Sequence, residues 1–155
     1  MPEENDSPDS SSADAPPAAQ WPEPAVGLLI FKPAEQKILL LKSQRWENQF
    51  RLPRGHVKLG ESVEEALVRI GKEEAGLIVE PLEMIGFQQS IFSKEFAQPR
   101  HFLFFDFLVK SKGEAPGIEK PADEIVWLEP VRAADRTLSD STRATLEFYL
   151  EKLRS

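Results

Sequence analysis

The sequence predicts an α/β fold built as one domain, and three observations point there. Short runs rich in Val, Ile, Leu and Phe recur along the chain with turn residues between them, which is the pattern of strands. One amphipathic stretch, from just after Gly60-Glu61 to Gly76, interrupts these runs with helical spacing. A second such stretch, Ser141 to Arg154, closes the chain with Leu146, Leu150 and Leu153 at helical intervals. Strands on both sides of a central helix, with another helix last, fit either an α+β arrangement or a mixed-sheet α/β/α sandwich.

A chain of 155 residues with 41% hydrophobic content has room for one core of ordinary size. Cysteine is absent, so disulfides, thiolate zinc sites and cysteine nucleophiles are excluded. No apolar run approaches a membrane span and the N-terminus lacks the basic start and apolar stretch of a signal peptide, so a cytoplasmic location is the expectation. The net charge of -7 is concentrated at one end: residues 1–24 hold six acids and no Lys or Arg, which leaves 20 acids against 19 bases in the remainder. A nearly neutral body offers no electrostatic footprint for duplex nucleic acid. A small polyanion can still be met by a few local bases and a metal.

Residues 1–24 also hold six of the 13 prolines, a composition that cannot offset its own ordering entropy and predicts a disordered tail ahead of a domain spanning 25–155. Trp21 reads as an incidental linker aromatic. Folded structure should begin at Val26, where Val-Gly-Leu-Leu-Ile-Phe and Lys37-Ile-Leu-Leu-Leu-Lys, separated by Pro33-Ala-Glu-Gln, form a hairpin. Phe50 to Pro53 is a short extended piece, and Pro53 and Gly55 mark a turn. Ser62, with Glu65 three residues on, is a capping box that starts the central helix, and Gly76 stops it. At about 100° per residue, Val63, Leu67 and Ile70 fall on one stripe, with Glu74 at its end and Glu73 on its flank. Strands follow over Leu77 to Glu80 with Leu82 to Phe92, over Phe102 to Val109 and over Glu124 to Leu128. The aromatics Phe87, Phe92, Phe102, Phe104, Phe105 and Trp127 read mostly as core. Ser139 to Ser141 supply caps for the last helix.

The stretch Gly55 to Leu77 resembles a Nudix box. That signature runs Gly, five residues, Glu, seven residues, Arg-Glu, an aliphatic, any residue, Glu-Glu, any residue, Gly and an aliphatic. Gly55, Glu61, Arg69, Glu73, Glu74, Gly76 and Leu77 stand at the required places. Ile70 replaces the Glu after Arg69, and Gly71 replaces the aliphatic. The resemblance covers roughly Ala25 to Ser155 and implies the Nudix α/β/α sandwich with a mixed sheet.

It also implies a metal-dependent hydrolase that splits a diphosphate linkage in a nucleotide derivative, with Mg²⁺ or Mn²⁺ as cofactor and homodimers as an option. Glu73, Glu74 and the backbone carbonyl of Arg54 would hold the metal, and Glu61 would grip Arg69 in a structural role beside Gly55 and Gly76. Adjacent carboxylates near a helix end suit this chemistry, because hard oxygen donors select Mg²⁺ or Mn²⁺ and such an ion neutralises phosphate charge. Elsewhere in a sequence, a Lys-Glu-Glu run is usually a solvated face. Arg51 and Arg54 are candidates for phosphate contact, and Trp46 for stacking a base.

Loss of the Glu at Ile70 removes one member of the usual three-acid cluster. Relatives that hydrolyse GDP-mannose lack the same Glu, but they use a loop histidine that the Glu119 to Glu124 stretch does not contain. A general base must come from elsewhere: Glu124 is the preferred candidate, with Glu119, Asp123, His56 and His101 also titratable and suitably placed. The lead-in Leu52-Pro-Arg-Gly-His resembles that of hydrolases acting on dinucleoside polyphosphates and favours that class slightly over nucleotide sugars, ADP-ribose or nucleoside triphosphates. The competing reading is a non-catalytic Nudix-fold nucleotide-binding or regulatory module. Substrate choice should lie in the loops around Gln44 to Phe50, Ser93 to Arg100 and Ser111 to Ala122.

Overall fold

The computed structural model describes residues 20–117 and 122–155. Among them, seven strands form one mixed sheet: β1 (Glu23–Lys32), β2 (Lys37–Lys42), β3 (Phe50–Arg51), β4 (Arg54–His56), β5 (Leu77–Ile91), β6 (His101–Glu114) and β7 (Glu124–Leu128). The helices are α1 (Val63–Ala75), α2 (Pro130–Ala133) and α3 (Asp140–Arg154). The sequence left α+β and α/β/α open, and the layering is the sandwich.

The expected hairpin forms, but β1 begins at Glu23, ahead of Val26, because it runs parallel to β6 from the pair Glu23–Phe102 onward. Further pairs extend this ladder to Phe31–Lys110. β1 and β2 pair only at Phe31–Ile38 and Lys32–Lys37 and then diverge. The segment before the box fills the gap between them: β4 pairs with β1 through Ala25–His56, Val26–Gly55 and Gly27–Arg54, and β3 pairs with β2 through Leu41–Arg51 and Lys42–Phe50. β7 covers the other edge of β2. The two runs read from Leu77 to Phe92 are one strand, β5, which stays antiparallel to β6 by absorbing irregularities near Ile78, Pro81 and Met84.

α1 covers one face of this sheet. Its residues Ala66, Leu67, Ile70 and Ala75 join Val26, Leu28, Ile30, Leu39 and Val109 in a buried cluster. α2 and α3 cover the opposite face, where Leu29, Ile38, Leu40 and Leu108 meet Ala133, Leu138, Leu146 and Tyr149. Leu153, expected on the buried stripe of α3, is 57% exposed, and Tyr149 and Thr145 take the inward positions. Phe87 and Phe92 are exposed as well, unlike Phe102 and Phe104, because β5 lies at the sheet edge, where fewer neighbours cover it.

Candidate active site

The helix that carries the box glutamates is fixed at both ends by its own sequence. At the start, Ser62 accepts a hydrogen bond from the Glu65 amide at 3.1 Å, and Glu65 accepts one from the Ser62 amide at 2.8 Å. These reciprocal bonds satisfy donors that the first turn leaves without helical partners. At the end, Gly76 takes the left-handed conformation with φ 67°, and its amide returns to the carbonyls of Gly71 and Lys72. Gly71 has a steric reason: a Cβ there would lie 2.8 Å from Val79 Cγ2, so α1 rests directly on β5. The aliphatic volume missing at this position comes from across the interface.

Arg69 organises the box. Its Nε and Nη2 donate to Glu61 Oε2 and Oε1 at 2.8 and 3.0 Å, its Nη1 to Glu73 Oε1 at 3.0 Å, and Nη2 also reaches the His56 carbonyl at 2.7 Å. One guanidinium therefore ties together the end of β4, the loop bearing Glu61 and the last turns of α1. Glu61 also accepts the Lys58 amide at 2.9 Å. The hydrogen bond from Arg69 is the main reason the Glu61 carboxyl titrates below its ordinary value, and partial burial opposes it.

Glu73 is 44% exposed and Glu74 is half-buried. A shallow hollow on the outer face of α1 is lined by Val68, Arg69, Lys72 and Glu73. Ile70 is 1% exposed and belongs to the core, so the side chain replacing the missing Glu fills space between helix and sheet. No group of three or more His, Cys, Asp or Glu side chains that could hold a metal ion occurs among the described residues. Glu124 stands exposed on β7, opposite Lys42, and does not complete a three-acid cluster with Glu73 and Glu74. Two carboxylates nevertheless fit Mg²⁺ or Mn²⁺, since Mg²⁺ is commonly held by one or two protein carboxylates with substrate phosphates and water completing its shell.

The remaining candidates fall into different places. Arg54 is a correction: its guanidinium is 1% exposed and bound to Asp106 and Thr145 beneath α3, so it is not available for phosphate contact. Its backbone, in β4, stays beside the box. Trp46 is also corrected: at 5% exposure its ring is buried, with the guanidinium of Arg51 5.2 Å from its centroid, and it offers no open face for a base. Arg51 is 5% exposed and donates to the Glu95 carbonyl at 3.1 Å. Of the other base candidates, His56 lies with Nε2 2.9 Å from Glu23 Oε1, and Asp123 accepts the Gln44 amide at 2.7 Å. His101 opens β6 half-buried. Glu119 lies outside the described residues.

Two of the three loops expected to choose substrate do meet. Arg45, Trp46, Gln49 and Arg51 share a recess of about 570 Å³ with the Ser93 to Ala97 loop and Asp140 at the start of α3. The third begins later than expected, because β6 continues through Glu114. What sequence reasoning missed is the buried network around Asp106: Gln88 and Thr145 both contact its Oδ2, at 2.7 and 2.9 Å. The available clue was a lone acid inside the apolar run Phe102 to Val109.

Comparison with known proteins agrees with this architecture. The family model described as NUDIX domain matches residues 21–148, and the chain belongs to the Nudix family. The ADP-ribose pyrophosphatase of Methanocaldococcus jannaschii is 42% identical over 69 residues, 43% of this chain and 41% of the relative. The human 8-oxo-dGDP phosphatase NUDT18 is 32% identical over 122 residues, 72% of this chain and 35% of the relative. The matched segments thus span well under half of either relative. Among solved structures, a MutT NUDIX hydrolase from Burkholderia pseudomallei superposes with a TM-score of 0.68 at 26% identity, covering 83% of this chain and 98% of the other. A NUDIX hydrolase from Nitrosomonas europaea gives 0.68 at 20% identity over 85% and 90% of the two chains, a likeness of fold. No helix among the described residues is long and apolar enough to cross a membrane.

Proposed function

We propose that this Nudix domain hydrolyses a diphosphate linkage in a nucleotide derivative with the help of Mg²⁺ or Mn²⁺. The observation that carries this is the Arg69 clamp, which holds Glu61, Glu73 and the His56 carbonyl in one arrangement beside Glu74. Glu73 and Glu74, with the Arg54 carbonyl, would hold the ion, which when bound neutralises phosphate charge and acidifies an attached water. Arg69 anchors Glu73 through Oε1 alone and so fixes the direction of that carboxylate on the helix that also carries Glu74. The two sequence relatives, an ADP-ribose pyrophosphatase and an 8-oxo-dGDP phosphatase, both act on nucleoside diphosphate compounds, which supports this class.

The second reading, a nucleotide-binding or regulatory module without turnover, is favoured by the burial of Ile70 and by the absence of a three-acid cluster among the described residues. Product release with Mg²⁺ or Mn²⁺ across nucleoside diphosphate derivatives, native protein beside Glu74→Gln, separates the two. The hydrolase reading expects metal-dependent turnover of one class. In Glu74→Gln it should fall by at least the roughly 10–100-fold that losing an outer partner of a metal ligand costs. Metal-independent binding with no turnover on any substrate would establish the module instead.

A further inference from the structure

We propose that the free edge of β5 is the interface of a homodimer, in which the Phe87–Ile91 segments of two copies pair antiparallel about a two-fold axis at Gln89 and continue one sheet through both. This stands apart from the hydrolase reading. β5 is the last strand on its side of the sheet, and β6 is its only partner among the described residues. Such an edge offers unpaired amides and carbonyls to any strand that fits it, and proteins ordinarily guard it with charge, proline or bulges. The first half of β5 is guarded in that way, by Glu80, Pro81, Glu83 and the irregularities near Ile78, Pro81 and Met84. The second half is not: from Gly86 to Ile91 it stays in unbroken register with β6, and residues 84–93 hold neither a charge nor a proline.

The direction of the backbone groups selects the register. The Phe92 amide donates to the Arg100 carbonyl at 2.7 Å, in step with the pair Ile91–His101. In an antiparallel ladder, residues that exchange bonds with a neighbour alternate with residues that do not, so Ser90 and Gln88 turn their N–H and C=O to β6, while Ile91, Gln89 and Phe87 turn theirs outward. The outward three share one face of the sheet, and all are exposed, Phe87 at 47% and Ile91 at 56%. With Gln89 opposite its own copy, Phe87 lies opposite the partner's Ile91, and every outward residue meets an outward residue. An aromatic side chain then covers a β-branched one twice, and the two Gln89 side-chain amides exchange hydrogen bonds. Charge sets the direction of pairing. The uncharged stretch ends in Glu83 on one side and Lys94 on the other, so antiparallel copies bring acid beside base, whereas parallel copies would bring like beside like. The first 19 residues of the chain fit the edge poorly, with five acids, four prolines and no aromatic or β-branched residue. A two-fold contact uses the edge of both copies at once, so the assembly closes as a dimer.

The test uses the full chain, with mass followed by sedimentation against concentration and amide exchange followed by NMR. The native protein is expected to move from the 17.5 kDa of one chain toward twice that mass as concentration rises. Over the same range the amides of Phe87, Gln89 and Ile91 should gain protection, while those of Gln88 and Ser90 are protected throughout. Gln89→Lys and Gln89→Glu each place like charges across the axis, and each should raise the dimer dissociation constant by about tenfold or more. Mixed in equal amounts, the two variants should pair with each other and recover the native affinity, a result that loss of folding cannot imitate. A single-chain mass at every concentration overturns the proposal, whether the edge then stays open or takes an extended segment of another protein. Protection of the three outward amides that persists at a single-chain mass overturns it as well, since a segment of the same chain then covers the edge. A dimer indifferent to both charges, or a mixture no tighter than its parts, places the interface elsewhere and has the same effect.

Discussion

Arg54 and Asp106, 52 residues apart in sequence, form an ion pair of 2.9 Å with side chains 1% and 0% exposed. Room for it exists only because Gly27 lies beneath: a Cβ there would fall 2.3 Å from Asp106 Oδ1 and 2.4 Å from Arg54 Nη1. Thr145 of α3 touches both partners, at 3.0 Å from Arg54 Nη2 and 2.9 Å from Asp106 Oδ2. The pair thus joins the box-side strand β4 to β6 and to α3. On the other side of that strand, Arg69 holds the His56 carbonyl. The short segment leading into the box is pinned from both layers.

Breaking this pair should be costly, and removing it whole should not. Asp106→Leu leaves a buried guanidinium without its counter-charge, for which urea unfolding should show a loss of about 3–5 kcal/mol. Adding Arg54→Met to that variant replaces both charges with apolar groups and should recover most of the loss. A single-variant cost below about 1 kcal/mol would mean that the pair is solvated in solution rather than buried.

Glu61 gives the box a pH dependence. Its folded-state pKa lies below the ordinary 4.5, chiefly through the hydrogen bond from Arg69. The native state therefore binds this proton less readily than the unfolded chain, and the resulting stability is complete above the unfolded value and lost as pH falls through the folded one. Glu61→Gln should be less stable than the native protein at about pH 7, with the gap narrowing toward about pH 3. Chemical unfolding at a series of pH values reads this directly. A gap that stays constant across the range would assign the carboxylate a role independent of its charge.

Gly71→Ala sets intrinsic propensity against packing. Alanine should gain roughly 1 kcal/mol as a helix former. The new Cβ would stand 2.8 Å from Val79 Cγ2 and 3.1 Å from Val79 Cγ1, and forcing a methyl into a filled interface costs about 1–3 kcal/mol. Net destabilisation is expected in the native background. With Val79→Ala already present, the same change should become stabilising. A double-mutant cycle measures this coupling, and additivity of the two substitutions would contradict the contact.

What the sequence disclosed, and what it concealed, follows from the range of the interactions. The capping box of Ser62 and Glu65, the Gly76 stop and the grip of Glu61 on Arg69 all lie within one short stretch, where spacing along a helix and its preceding loop decides who meets whom. The hairpin and the final helix were legible for the same reason. Arg54 looked like a phosphate ligand because nothing near it in sequence reveals Asp106, Gln88 or Thr145. Trp46 looked like a stacking platform because burial depends on strands β1 and β2 diverging around β3 and β4, a tertiary event. The recess draws on residues 45–51, 93–97 and 140, which no periodicity links. The lead-in that favoured dinucleoside polyphosphates loses its basic side chain to the core, so that guanidinium carries no information about substrate.

Ile70 allows the metal question to be posed by stability as well as by turnover. It lies one helical turn before Glu73 and Glu74, on the side of α1 that packs against the sheet, and it is 1% exposed. Ile70→Glu should therefore cost on the order of 3 kcal/mol without metal, because a carboxyl replaces a buried aliphatic group. If the new carboxylate joins Glu73 and Glu74 around an ion, saturating Mn²⁺ stabilises the variant more than the native protein. Occupancy at about a hundred times the dissociation constant contributes roughly 2.7 kcal/mol. We expect this metal-specific recovery of Tm, with Glu74→Gln abolishing it in the same background. A variant whose Tm does not respond to Mn²⁺ would show that position 70 serves the core alone, and that any metal the domain holds is held without it.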